Sequence, residues 1–124
     1  MNSDKISILI VDDELDLLEI YQELFEAENF KVLTASSARA GLEIYAKNLD
    51  IRLIISDSQM VNMTGLEFIQ KLKSTYSAVP VFYLVTGDAE ESESKIKELG
   101  VHSLVLKPFD VDEIIMKIKK DLNS

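Results

Sequence analysis

"ISILIVDDELDLLEIYQELFE" spans residues 6–26. It opens on a nearly unbroken apolar run, residues 6–11, rich in β-branched side chains. Such a run reads as a strand buried on both faces, as in a parallel sheet covered by helices. Three acids, Asp12, Asp13 and Glu14, end it. Beyond them Leu17, Ile20, Tyr21 and Leu24 recur at helical spacing, with Glu19, Glu23 and Glu26 off that face. This spacing predicts an amphipathic helix packed through the Leu17–Leu24 stripe. A buried strand feeding directly into a helix is half of a βαβ unit.

The same unit recurs down the chain. Further strand-like runs cover 31–35, 51–56, 81–85 and 103–106, and the second of the five runs is polar enough for an edge strand. The second helix repeats Ala38, Leu42 and Tyr45, with Ser36 or Ser37 as its cap. The third repeats Leu66, Ile69 and Leu72. A fourth, at about 90–99, has only Ile96 and Leu99 as anchors, so it should be the least firmly packed, and Gly100 should end it as a C′ glycine. The fifth carries the clearest stripe, Val111, Ile114, Ile115, Ile118 and Leu122, after a capping Asp110. The pattern predicts an α/β fold, (βα)5, in one domain over residues 1–124.

Composition narrows the function. At 47% hydrophobic the chain is long and apolar enough to bury a core. A net charge of −9 argues against direct nucleic-acid binding, which needs clustered Lys and Arg. The absence of cysteine excludes disulfides and thiolate metal sites. No apolar run approaches the roughly 20 residues of a membrane helix, and the polar start does not read as a signal peptide. A soluble cytoplasmic protein is the expectation.

In open parallel sheets ligands bind at the carboxyl ends of the strands, where strand order reverses. Here those ends carry Asp12 and Asp13, then Asp57, then Thr86 with Gly87 and Asp88, then Lys107 and Pro108. Clustered carboxylates repel unless a cation neutralises them. An oxygen-only donor set suits a hard cation such as Mg²⁺. Such an ion can spread phosphoryl charge, with Lys107 and Thr86 as further contacts and one carboxylate as nucleophile.

The pieces "ILIVDDE" (8–14), "DSQMVNMTGLEF" (57–68), "VTG" (85–87) and "LKPF" (106–109) resemble, in order, the receiver domain of two-component response regulators. The resemblance covers residues 6–122 and is closest in kind to chemotaxis regulators. It implies a flavodoxin-like, doubly wound sheet of order 2-1-3-4-5. It implies Asp57 as phosphoacceptor; Mg²⁺ on Asp13, Asp57 and the Gln59 carbonyl; and Asp12 acting through water. It further implies Thr86 and Lys107 on the phosphoryl group, and a cis Lys107–Pro108 bond. A sensor histidine kinase or phosphotransfer protein would be the donor. A downstream protein would read the face built from the fourth helix, fifth strand and fifth helix. Gly65 would permit the tight turn into the third helix. Two positions depart from the family's habit, and two more sit where it is tuned. Val61 replaces a usual proline. Leu104 replaces the aromatic that usually moves with the threonine. Gln59 and Asp88 sit where phosphate loss is tuned.

Plainer readings exist for each residue. Asp12 and Asp13 fit a helix cap with a first-turn acid. Asp57 fits a loop acid, Lys107 a solvated lysine, and Thr86 with Gly87 a turn. His102, the lone histidine, lies away from the strand ends, so the chain should receive and not donate the phosphoryl group. The acidic run 88–93 fits a solvated helix start or a recognition patch. The alternatives to a phosphorylation switch are a receiver-like module working without phosphate, and a Mg²⁺-dependent phosphatase with an aspartyl-phosphate intermediate. On this reading the chain is either a complete single-domain regulator or an excised receiver.

Overall fold

The computed structural model describes residues 5–87, 93–107 and 109–122. Strands β1 (Ser7–Val11), β2 (Lys31–Ala35), β3 (Leu53–Asp57), β4 (Val81–Thr86) and β5 (Ser103–Leu106) alternate with helices. These are α1 (Leu15–Ala27), α2 (Ala38–Lys47), α3 (Gly65–Thr75), α4 (Glu93–Glu98) and α5 (Val111–Leu122). All strand pairs are parallel, in the order β2-β1-β3-β4-β5. The flavodoxin-like order expected above is therefore the observed one, and polar β2 lies on an edge. The central strands β1 and β3 are buried at every residue, which explains their unbroken apolar runs.

Alternate strand residues point to opposite faces. Ile8, Ile10, Leu53, Ile55, Tyr83 and Val85 join α1 and α5 in one core half. Leu9, Val11, Ile54, Phe82 and Leu84 join α2, α3 and Ile96 of α4 in the other. Ser37 is the α2 cap, its side chain accepting from the Ala40 N–H. Asp110 caps α5, its Oδ1 accepting from the Asp112 N–H at 2.9 Å. Among the α4 residues whose burial is described, Ile96 alone is buried, in keeping with the helix's sparse anchors.

Gly100, at φ +107°, terminates α4 in a Schellman arrangement. Its N–H bonds the Lys97 carbonyl, and the Val101 N–H reaches back to Ile96. Asn29 does the same for α1 at φ 72°, and Phe30 closes edge-on against Phe25.

The expected α1 face is corrected by the structure. Ile20 and Leu24 are 50% and 43% exposed, while Leu18 and Phe25 are buried. Apolar residues occupy two overlapping stripes of this helix. The Schellman closure that pairs Phe25 with Phe30 sets its rotation, so the Leu18–Tyr21–Phe25 stripe faces the sheet.

Candidate functional site

The site lies at the carboxyl edge of the sheet, where β1 and β3 depart to opposite faces. Each residue is delivered by the end of a strand. Asp12 follows β1, and its N–H still bonds Ala35 at 3.1 Å. Asp57 is the last residue of β3 and pairs with Val85. Thr86 ends β4 and is buried, and its carbonyl accepts from the Lys107 N–H at 2.8 Å, just past β5.

This placement gathers Asp12, Asp13 and Asp57, with one carboxylate oxygen from each inside a mutual separation of 4.8 Å. Asp12 and Asp57 are buried, at 5% and 7% exposure, and Asp13 is exposed. Buried charge needs compensation. Lys107 Nζ lies 3.3 Å from Asp57 Oδ1. The Gln59 N–H points at the same oxygen from 3.4 Å, and the Glu14 N–H donates to Asp12 Oδ1 at 2.9 Å. The compensation is incomplete. Burial, then the neighbouring Asp57 and Glu14 charges, hold the Asp12 carboxyl above its ordinary range, against the Glu14 N–H and Lys107.

The helix-cap reading of the acid pair fails on geometry. The α1 cap is Glu14, which makes no side-chain cap bond. The Asp12 side chain turns instead to the Glu14 backbone, beside the cluster.

The loop from β3 to α3 is braced at both ends. The Ser58 N–H continues the ladder to Val85 at 2.8 Å, and the Gly65 N–H returns to Ser58 at 3.0 Å. Thr64 and Glu67 form a reciprocal capping box. Asn62 turns the loop at φ 76°, a conformation asparagine tolerates. Gly65 permits the tight turn into α3 by lacking a side chain, without a left-handed backbone. A Cβ there would stand 2.5 Å from a Leu84 methyl and 2.6 Å from the Asp57 carbonyl. The glycine lets α3 start directly against the acceptor strand.

Other expectations separate from the cluster. Leu104 sits on β5, partly buried, and lines a groove with Leu106, Phe109 and Lys117. Val61 is 68% exposed on the loop. His102 lies at the opposite, amino edge of the sheet, its Nε2 3.3 Å from Asp121 Oδ2. Asp88, most of the acidic run and the Lys107–Pro108 bond lie outside the described residues. Sequence reasoning placed Tyr21 in the core only; it also stacks on Phe109 at 5.3 Å and lines a recess with Leu17 and Lys107. Burial, then Asp12, Glu14 and Asp57, push its phenol upward.

The response regulator receiver domain profile matches residues 8–119. Response regulator SaeR of Staphylococcus aureus is 31% identical over 111 residues, covering 90% of this chain and 48% of SaeR. The chain belongs to the response regulator receiver domain family. It spans about half the length of the curated relatives it matches. A receiver domain crystal structure from Clostridium thermocellum superposes at TM-score 0.87, with 26% identity, over 95% of this chain and 94% of that one. A CheY-like receiver from Methanospirillum hungatei gives 0.85 at 27% identity, over 97% and 95%. Vibrio cholerae CheY4, at 24% identity, shares the fold at 0.84, over 95% of this chain and 99% of that one. No helix among the described residues of this receiver domain is long and apolar enough to cross a membrane.

The donor set fits the ion that receiver domains bind at their acidic pocket. Octahedral Mg²⁺, with bonds of about 2.0–2.1 Å, keeps ligand oxygens within roughly 4.2 Å of one another. Carboxylates already gathered within 4.8 Å need only small side-chain adjustments to reach it.

Proposed function

We propose that this receiver domain is a phosphorylation-controlled switch whose acceptor is Asp57. One observation carries the reading: a nearly buried carboxylate meets an ammonium at 3.3 Å beside two further acids. A solvated loop acid has no reason to be held this way. The donor is the phosphohistidine of a sensor histidine kinase or phosphotransfer protein, or a small acyl phosphate. An Asp57 oxygen gives an electron pair to phosphorus. The P–N bond to the donor imidazole breaks, and its pair stays on the ring nitrogen, which takes a proton from water.

Asp13, Asp57 and the Gln59 carbonyl would hold Mg²⁺ directly, and Asp12 through a water. When bound, the ion supplies charge neutralisation at the phosphoryl oxygens. Lys107 moves from the free carboxylate to a phosphoryl oxygen, and Thr86 donates its hydroxyl to another. The new group adds about −1.5 to −2 charge, by analogy with phosphorylated hydroxyls. Thr86 and Lys107 already share a backbone bond at 2.8 Å, so drawing in either one pulls the β4 and β5 ends together. Leu104, in place of the usual aromatic, relays this to α5. Partners read the α4–β5–α5 face, where Ile96 is the buried anchor among the described residues of α4. The chain acts on no other substrate; it catalyses only its own phosphorylation and dephosphorylation.

Incubation with acetyl phosphate and Mg²⁺, followed by intact-mass measurement, tests this directly. One phosphoryl group should appear on the wild type and none on Asp57→Asn. Uptake that survives in Asp57→Asn would place the acceptor elsewhere. An unmodified wild type would favour the phosphate-independent module.

A further inference from the structure

We propose that the groove between α2, α3 and the β3–α3 loop is a docking surface for a short acidic, apolar-bearing segment of a partner protein. The groove encloses about 520 Å³. Leu42 and Met63, both partly buried, form its apolar floor, and Val61 stands 68% exposed at its wall. Arg39 and Lys71 lie on its rim, both exposed, and neither forms an ion pair among the described residues.

The charge distribution points to the occupant. The chain carries a net charge of −9, yet no carboxylate lines this groove. The grooves flanking α5 are lined by Asp110 and Glu113, or by Glu28, Asp110 and Asp112. The first turn of α2, capped by Ser37 at the groove's edge, also lacks an acid, so its positive end is not neutralised from within the helix. Two unneutralised cations around exposed apolar surface complement acids interleaved with apolar residues. A second copy of the chain is the poorer match, because two molecules at −9 repel as wholes, whereas a short segment carries few charges. Rim residues this exposed suit a segment laid across the surface better than an enclosed small molecule.

Binding here requires no phosphate on Asp57, so the test uses unmodified protein. The probe is an acetylated, amidated Glu-Leu-Glu-Glu-Leu-Glu hexapeptide, followed by amide resonances. It should shift Leu42, Val61 and Met63, and the Lys-for-Glu peptide should not. Arg39→Glu with Lys71→Glu should weaken binding at least about tenfold at low salt. Val61→Asp, at an exposed position that leaves the core intact, should also weaken it. No shifts at millimolar peptide, shifts centred elsewhere, or equal binding by the charge-reversed variant would overturn the proposal. Concentration-dependent dimerisation lost in that variant would identify a second copy as the occupant and overturn it as well.

Discussion

Gly65→Ala should destabilise this receiver domain and disturb its acceptor strand. The added methyl would stand 2.5 Å from Leu84 Cδ1, 2.6 Å from the Asp57 carbonyl oxygen and 3.2 Å from Ser58 Cα. Carbon atoms rest at about 3.5–4.0 Å, so roughly 1 Å must be found. Leu84 is fully buried and cannot swing aside, and the other two contacts are backbone. The helix start must therefore retreat. Overpacking of this kind costs about 1–3 kcal/mol, and two severe contacts place the site near the upper end. Alanine's helix preference and the stiffer unfolded chain return up to about 1 kcal/mol. The net loss is about 2 kcal/mol, or roughly 6–12 °C in Tm for a domain of this size. Circular dichroism melts measure it. Retreat of α3 also strains the Gly65 N–H to Ser58 bond, so uptake from acetyl phosphate should slow. Gly41→Ala is the control. Its methyl meets only side chains, Phe68 at 3.0 Å and Val11 at 3.2 Å, and it gains helix preference mid-helix. A Gly65→Ala variant that melts at or above the wild-type temperature would refute the steric argument.

Three further outcomes follow from other parts of the molecule. Asp12→Asn keeps an acceptor for the Glu14 N–H but removes a charge that the fold raises in pKa. A raised carboxyl makes the folded state bind more protons, so its contribution to stability falls as pH rises above about 3.9, the unfolded value. Without Mg²⁺ the variant should melt higher than wild type at pH 7, with the gap closing as pH falls toward 4. Tyr83→Phe removes the 2.5 Å hydrogen bond to Asp121 and should cost about 1–2 kcal/mol at pH 7. Burial alone would raise Asp121, but the Tyr83 hydroxyl, His102 and Lys117 together hold it below its ordinary range. That stability is present above about 3.9 and fades as pH drops through the lowered value, so the two melting curves should converge in acid. Leu104→Ala should leave phosphoryl uptake intact yet abolish the change in α5 amide shifts on phosphorylation; an unchanged response would remove Leu104 from the relay.

The strands were legible because burial on both faces leaves an unbroken apolar signature. β1 and β3 could hardly be read otherwise, and the polar edge of β2 was equally plain. α1 was misread because periodicity fixes that a helix is amphipathic but not its rotation when apolar residues cover half its circumference. Leu17, Ile20 and Leu24 compete with Leu18 and Phe25, and only the closure through Asn29 and Phe30 decides between them. The steric role of Gly65 was hidden for a similar reason. A glycine at a helix start reads as a turn, and only the packed structure shows the Asp57 carbonyl beneath it.

The candidate site was more legible than the helices because parallel topology brings distant residues to one edge. Asp12, Asp57, Thr86 and Lys107 each sit at the end of a strand, so knowing the strands placed the cluster without any contact being known. What sequence left open was whether Asp12 and Asp13 serve a helix or a site. In the structure Glu14 takes the α1 cap position while donating its N–H to Asp12, so neither aspartate is the cap. The same bond helps explain how the fold tolerates the cluster. Lys107 and that N–H offset part of the cost, and the Asp12 carboxyl, raised first by burial and then by Asp57, marks what remains. A ligand that binds only the folded state stabilises it in proportion to its affinity. A divalent cation on these carboxylates would gain the repulsion still unrelieved. The instability of the bare cluster and its affinity for Mg²⁺ are then one quantity, and Asp12→Asn, which lowers the first, should weaken the second.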